Sequence, residues 1–210
     1  MSDTKRWDGP PVEAWSMAWT PEQAARALAG VAAPWAVAGG WAIDLWLGRQ
    51  TRGHGDLEIT VPEPRYPEIQ ARLESLGLEL FTIDDGQVIA MAPGETPPPH
   101  THQTWAMDPV AQAWRIDVFR EPGDDHTWIY RRTGDFSTPR AWAAGCTPAG
   151  VPYVAPQIVL FFKAKAMRDK DQADFAIAAP RLSPEARAWL AAALRTHHPD
   201  HPWIAQLSLR

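Results

Sequence analysis

The chain has 210 residues, a net charge of −5 and an apolar share of 45%. This length suits one compact domain, or a catalytic domain with a small appendage, and no stretch approaches the roughly 20 unbroken apolar residues of a membrane-spanning helix. The chain lacks the basic excess of most nucleic-acid-binding proteins, so a nucleotide or another small molecule is the predicted substrate. The polar first residues predict no export, and the single cysteine, Cys146, fits a reducing cytoplasm.

The first predicted elements are a helix, a strand and a second helix. Thr20 is a helix N-cap with Gln23 completing a capping box, and this helix runs to about residue 30. Residues 35–38 form a short apolar run that predicts a buried strand. A diglycine turn, Gly39-Gly40, follows this strand, and residues 41–47 predict a helix that Gly48 ends.

The middle of the chain predicts a series of strands around one helix. Residues 66–76 predict the helix, and Asp84-Asp85-Gly86 predicts a tight hairpin between two of the strands. The predicted strands are residues 56–61, 78–83, 87–92, 104–107, 114–119 and 127–131. Residues 137–152, rich in Gly, Ala and Pro, predict a loop.

The last quarter of the chain predicts helices alone. One long helix covers residues 157–178, and a second begins at the N-cap Ser183 and runs to about residue 196. The change from strands to helices near Pro156 predicts an α+β fold, with a catalytic domain over residues 1–155 and a helical region over residues 156–210 packed on it.

Three acidic residues on predicted strands form the main candidate site. Asp56 and Glu58 are two positions apart, so on a strand both point to one face. Asp117 lies between two apolar residues, and a neighbouring strand can bring its carboxylate beside the other two. Three adjacent carboxylates repel one another unless a cation lies among them, and hard oxygen ligands suit magnesium. Each residue alone also fits a solvated surface charge.

The diglycine has a role that complements the carboxylates. Without Cβ atoms, the backbone at Gly39 and Gly40 can approach a phosphate closely. The helix that follows adds free N–H groups and the positive end of its dipole. A triphosphate can then be held between backbone donors and metal ions, although a diglycine alone is also common in simple turns.

The ordered combination of these motifs resembles a known family. Residues 39–59 contain the diglycine, a G-R-x-T-R-x-H linker and a D-L-E-I strand, in the order found in aminoglycoside and lincosamide nucleotidyltransferases. Residues 154–175 are similar to a downstream helix of the same relatives. The chain departs from the pattern of many polymerase-β-type enzymes at two positions, with Glu58 in place of a commoner Asp and Trp41 in place of a hydroxyl residue after the diglycine.

The resemblance implies a polymerase-β-like fold, a mixed sheet with flanking helices and a helical C-terminal part. It implies two Mg²⁺ ions held by Asp56, Glu58 and Asp117, with Asp117 as the proton acceptor. It also implies a triphosphate held at Gly39 and Gly40. The reaction that it implies is transfer of a nucleoside monophosphate, with AMP as the predicted group, from ATP or another NTP to a hydroxyl group, with release of pyrophosphate.

Two basic residues are further candidates for phosphate contact. Arg52 lies just before the carboxylate strand, where it can bind phosphate or form a solvated basic turn. The nearby His54 fits either a nucleotide contact or a structural hydrogen bond. Lys163, on an apolar and basic helix face, can offer its ammonium to phosphate, whereas neighbouring lysines fit ordinary i,i+4 surface pairs.

The acceptor remains open between several hypotheses. An acidic cleft suits a polycationic aminoglycoside-like antibiotic, and a different small hydroxyl compound fits the same motifs. A second hypothesis is an antitoxin-like nucleotidyltransferase that modifies a hydroxyl of a protein partner. A third is a nucleotide-binding regulator without turnover, which the three retained carboxylates oppose.

Overall fold

The computed structural model describes residues 15–208, which form a mixed sheet covered by helices on both faces. The helices are α1 (Pro21–Ala27), α2 (Gly39–Leu47), α3 (Tyr66–Ser75), α4 (Arg140–Ala143), α5 (Pro156–Lys163), α6 (Asp169–Ala178), α7 (Pro184–His197) and α8 (Trp203–Ser208). The strands are β1 (Ala36–Val37), β2 (Glu58–Pro62), β3 (Glu79–Asp84), β4 (Gln87–Ala90), β5 (Gln103–Asp108), β6 (Ala113–Glu121), β7 (Thr127–Ile129), β8 (Ser137–Pro139), β9 (Ala144–Cys146) and β10 (Pro152–Val154). No described helix combines the length and apolar character needed to cross a membrane.

The main sheet has eight strands in the order β4-β3-β5-β6-β2-β1-β10-β9. The pairs β2–β6 and β1–β10 are parallel, and the other neighbours are antiparallel. Strands β7 and β8 form a separate two-stranded ribbon. The predicted α+β class with a mixed sheet and flanking helices is confirmed.

Alternation along β2 and β6 divides the sheet into an apolar face and a polar face. Ile59 and Val118 lie on the apolar face, fully buried against Ile69 and Leu73 of α3. The residues next to Ile59 on β2 and next to Val118 on β6 therefore point to the opposite face, because successive side chains of a strand alternate. That opposite face carries the acidic residues of β2 and β6.

A second core joins the C-terminal helices to α2. It packs Ile43 of α2 against Ile158 and Phe161 of α5 and against Leu190 of α7. Trp203 of α8 stacks on Phe175 of α6, with ring centroids 4.1 Å apart. Helix α2 therefore lies between the sheet and the helical part, which fixes its N-terminus relative to both. The division at residues 155 and 156 stays a prediction.

Several local predictions are confirmed. Thr20 accepts a hydrogen bond from the backbone N–H of Gln23, and Gln23 completes the capping box. Ser183 caps α7 in the same way through the N–H of Ala186. In the predicted hairpin, Asp85 and Gly86 both have positive φ, as a type I′ turn requires.

Four predictions of local structure were wrong. Helix α2 begins at Gly39 rather than at Trp41, so the diglycine forms its first turn. Strand β2 begins at Glu58, and Asp56 precedes it. The expected loop over residues 137–152 contains β8, α4 and β9; the backbone groups of β8 pair with β7, and those of β9 pair with β10.

The fourth wrong prediction is the single helix over residues 157–178. The structure has two helices, α5 and α6, separated by a turn in which Met167 has a φ of 41°. The turn folds α6 back so that Asp171 and Asp174 reach Lys163 on α5. These tertiary ion pairs outweigh the helical continuity that the sequence favours.

Candidate functional site

The parallel pairing of β2 with β6 brings Glu58 and Asp117 together. The two residues are partners in the register, so their side chains lie side by side on the polar face of the sheet. The backbone N–H of Asp117 donates a 2.9 Å hydrogen bond to the carbonyl of Leu57, which fixes this register at its N-terminal end. Asp56 is exposed in the segment just before β2.

Burial and neighbouring negative charges raise the pKa of both Glu58 and Asp117. Burial, then the charge of Asp56, raises the pKa of Glu58. Burial, then the charge of Glu58, raises the pKa of Asp117 well above its usual value, and Asp56 adds to this shift. A bound cation would relieve the same repulsion.

The two carboxylate oxygens of Asp117 differ in their hydrogen bonding. Its side chain is buried, 5% exposed, and its Oδ2 accepts a 2.5 Å hydrogen bond from Nε2 of Gln103 on β5. Its Oδ1 is buried and forms no hydrogen bond of full geometry within residues 15–208, although the Trp105 side chain acts on this carboxyl and lowers its pKa. As placed, the His, Cys, Asp and Glu side chains of residues 15–208 form no group of three that could hold a metal ion.

The two glycines at the start of α2 each make room for a side chain. Gly39 has a φ of 60°, and a Cβ there would overlap Oε2 of Glu58. A Cβ on Gly40 would overlap the guanidinium of Arg52 and lie 2.9 Å from Cε1 of His54. Gly39 therefore lets Glu58 lie against the helix N-terminus, while Gly40 lets the linker pack there. The phosphate contact of the two glycines stays a prediction.

The linker before β2 is held by ion pairs and hydrogen bonds. Arg52 donates from Nε and Nη2 to the two carboxylate oxygens of Asp174 on α6, both at 3.0 Å. His54 contacts Asp44 of α2 through Nε2 at 2.6 Å and stacks on Trp41. These contacts make Arg52 and His54 part of the frame around the carboxylate strand.

Lys163 lies at the centre of a second set of ion pairs. Its Nζ is 2.8 Å from Oδ1 of Asp171 and 3.0 Å from Oδ2 of Asp174. Asp171 also accepts a 2.8 Å hydrogen bond from Nε of Arg168, and these cations lower its pKa to about 2 despite its burial. Asp174 thus joins Arg52 of the linker to Lys163 of α5, a connection absent from the sequence motifs.

A cavity of about 180 Å³ lies beside Glu58, on the polar face of the sheet. It is bounded by β2, β6, α5 and the start of α2. Its lining residues are Ala38, Gly39, Glu58, Thr60, Phe119, Glu121, Arg131, Arg132, Val154, Val159, Phe162, Lys163 and Arg168. Of the predicted site residues, Gly39, Glu58 and Lys163 line it, whereas Gly40, Arg52, Asp56 and Asp117 do not.

Two residues that line this cavity, Glu121 and Arg131, were not identified from the sequence. Glu121 is two alternations beyond Asp117 on β6, so period-two spacing already places it on the polar face. It is buried 3.8 Å from the guanidinium of Arg140, and burial raises its pKa. Arg131 follows β7, and no motif in the sequence connects it to the site.

Comparison with known proteins supports the resemblance seen in the sequence. Residues 22–91 match the family described as aminoglycoside-2''-adenylyltransferase, a segment that contains the diglycine, Asp56 and Glu58 but neither Asp117 nor Lys163. A 2''-aminoglycoside nucleotidyltransferase of Klebsiella pneumoniae is 51% identical over 41 residues, which are 20% of this chain. The match spans 23% of that relative, about a quarter of its length.

Two solved structures share the fold over most of the chain. A crystal structure of ANT(2'')-Ia in complex with adenylyl-2''-tobramycin superposes with a TM-score of 0.55 and 20% identity, covering 82% of this chain and 93% of the other. A solution structure of the antibiotic-resistance factor ANT(2'')-Ia gives a TM-score of 0.53, also at 20% identity, covering 83% and 88%. The predicted resemblance to aminoglycoside nucleotidyltransferases is confirmed, and the fold is theirs.

Proposed function

We propose that this chain is a nucleotidyltransferase that moves a nucleoside monophosphate from an NTP to a hydroxyl group of a small molecule and releases pyrophosphate. The observation that carries the proposal is the parallel register that sets Glu58 beside Asp117, directly against the N-terminus of α2 at Gly39. The family match over residues 22–91 and the shared fold support it.

The carboxylates fit Mg²⁺ by their chemistry. Magnesium prefers one or two carboxylates together with substrate phosphates and water, so it does not need a closed protein cage. Burial raises the pKa of both Glu58 and Asp117, and the charge of a neighbouring carboxylate adds to each shift. Asp56, Glu58 and Asp117 would hold the metal. Bound magnesium would neutralise charge on the phosphate oxygens.

Asp117 is the proposed proton acceptor. The acceptor oxygen forms a bond to the α-phosphorus, the bond to pyrophosphate breaks, and the hydroxyl proton passes to Oδ1 of Asp117. The hydrogen bond of Gln103 occupies Oδ2, whereas Oδ1 forms no hydrogen bond of full geometry within residues 15–208. Burial raises the pKa of Asp117 and so makes the carboxylate a stronger base near neutral pH.

Lys163 and the start of α2 are proposed to contact the triphosphate. Lys163 lines the cavity, and its ion pairs with Asp171 and Asp174 fix the position of its ammonium. Gly39 lines the same cavity and begins α2, whose first backbone N–H groups are free to bind an anion. Arg52 supports this arrangement through Asp174, and its direct phosphate contact stays a prediction.

ATP and an aminoglycoside-like antibiotic are the proposed substrates. The matching family is described by its adenylyl transfer to aminoglycosides, and one superposed structure holds adenylyl-2''-tobramycin. The net charge of −5 suits a polycationic acceptor. No described contact favours a protein acceptor, and location in the cytoplasm stays a prediction.

A pyrophosphate-release assay tests the proposal. ATP, GTP, CTP and UTP are each offered with aminoglycosides, lincosamides and simple sugars in Mg²⁺ buffer. We expect release with ATP and at least one acceptor, and loss of more than about a thousandfold in Asp56→Asn and Asp117→Asn. The matched control is Asp85→Asn in the exposed β3–β4 turn, which should retain full activity. Full activity in the Asp56→Asn variant would reject the assignment.

A further inference from the structure

Arg131 is an unusual member of the cavity wall. It follows β7, and its guanidinium carbon lies 4.6 Å from the ring centroid of Phe119 and 5.4 Å from that of Phe162. The two rings come from β6 and from α5, so the guanidinium is held where these elements meet the cavity. Contact with aromatic faces occupies the plane of a guanidinium and leaves its N–H edge available for acceptors.

Among residues 15–208, no acceptor forms a hydrogen bond or ion pair with the Arg131 side chain. The other cations of the cavity wall have such partners. Lys163 and Arg168 contact Asp171, and Arg132 donates to the carbonyl of Phe162 at 3.3 Å. The five N–H donors of this half-buried guanidinium are therefore available to an acceptor that enters the cavity.

The carboxylates of the site face Arg131 without touching it. Burial, then the charge of Arg132, lowers the pKa of Arg131, whereas Glu121, Asp117 and Glu58 raise it. A guanidinium remains charged under these conditions, since its ordinary pKa is far above neutrality. Arg131 therefore faces Glu58 and Asp117, the proposed metal ligands, and Glu121. An anion with several oxygens suits this cavity.

We propose that Arg131 is an anion-binding residue of this cavity and contacts a phosphate group of the bound nucleotide. The proposal rests on the proposed function, which supplies the nucleotide as the polyanion. Arginine fits this role because its fork of donors matches phosphate oxygens in a bidentate contact. Phe119 and Phe162 act as positioning residues that fix the plane of the fork.

Isothermal titration calorimetry with ATP and with inorganic pyrophosphate tests this role, each in Mg²⁺ buffer and in EDTA. We expect Arg131→Gln to raise the Kd of both ligands by roughly 10- to 100-fold, the range for a lost hydrogen bond to a charged group. The control is Arg26→Gln, an exposed arginine of α1 outside the cavity lining, for which Kd should stay within about twofold of wild type. Equal Kd values for Arg131→Gln and wild type would overturn the proposal.

A second variant keeps the proposal testable if Arg131→Gln does not fold. Arg131→Lys keeps the positive charge but loses the fork, so the Kd for pyrophosphate should rise by about threefold or more, while near-UV circular dichroism is unchanged. An unchanged Kd in this variant would also contradict the proposal.

Failure of this proposal is distinguishable from failure of the proposed function. A wild-type protein that binds pyrophosphate through Arg131, but transfers no nucleotide to any acceptor, refutes the transferase and leaves the anion site in place. Normal transfer with unchanged Kd values in Arg131→Gln refutes the anion site alone. A wild-type protein that binds neither ATP nor pyrophosphate refutes both.

Discussion

Arg52 and Asp174 lie 122 positions apart and form an ion pair through two hydrogen bonds of 3.0 Å each. The pair ties the linker before the carboxylate strand to helix α6. Asp174 is 2% exposed and also contacts Lys163 at 3.0 Å, so one carboxylate neutralises two cations. The position of Lys163 at the cavity therefore depends on the same carboxylate as the linker.

Removal of Asp174 should destabilise the protein more than removal of Arg52. Asp174→Asn leaves Arg52 and Lys163 without this shared carboxylate, and we expect a loss of about 3 kcal/mol in the free energy of unfolding. Arg52→Gln leaves Asp174 paired with Lys163 and should cost about 1–2 kcal/mol. Urea unfolding at pH 7 measures both. The exposed Lys165→Gln is the control and should change stability by less than about 0.5 kcal/mol.

Gly39→Ala should impair catalysis by displacing Glu58. The added Cβ would overlap Oε2 of Glu58, and an L side chain at a φ of 60° adds roughly 1–2 kcal/mol of backbone strain. We expect kcat/KM to fall by about tenfold or more while the protein remains folded. Gly55→Ala, where an added Cβ meets nothing within 4 Å, serves as the control in the same linker. Equal kinetics of the Gly39 variant and the control would contradict the packing argument.

Glu58→Gln should stabilise the metal-free protein. Glu58 and Asp117 are register partners whose like charges raise the pKa of Asp117, so removing one charge relieves repulsion. In EDTA, we expect the variant to gain about 1 kcal/mol in the free energy of unfolding. Mg²⁺ should raise the Tm of wild type through preferential binding to the folded state and have little effect on the variant. A variant that is less stable than wild type in EDTA would show that Glu58 stabilises the fold.

The contribution of Asp171 to stability should disappear in acid. Its pKa falls to about 2 because Arg168 and Lys163 hold its charged form, although burial acts in the opposite direction. A carboxylate with a folded-state pKa below the unfolded value contributes stability above the unfolded pKa, and this contribution is lost as pH falls through the folded pKa. We expect Asp171→Asn to be less stable than wild type by about 1–2 kcal/mol at pH 7 and at pH 5.

This difference should be roughly halved at pH 3, which lies between the two pKa values. Chemical unfolding of both proteins at pH 7, 5 and 3 measures it. Comparing the two proteins at each pH cancels the titration of the other carboxylates. A difference that stays constant or grows down to pH 3 would contradict the assigned direction of the shift.

The sequence by itself determined the local signals and the chemical type of the site. Thr20 and Ser183 cap their helices through hydrogen bonds to residues three positions away, so the information is local. The alternation of apolar and acidic residues in β2 and β6 placed Glu58 and Asp117 on strands, each with its side chain away from the core. The structure confirmed this, because burying the apolar residues of a strand on one face directs the alternate side chains to the opposite face.

Only the tertiary structure decided which strands are neighbours and which charges meet. The parallel pairing that sets Glu58 beside Asp117 depends on a crossover through α3 and three further strands. A sequence motif does not specify which residues of the two strands become partners. The break between α5 and α6 opposes helical continuity and is stabilised by ion pairs of Lys163 with Asp171 and Asp174. Arg131 enters the site for the same physical reason, since its aromatic neighbours are close in space but distant along the chain.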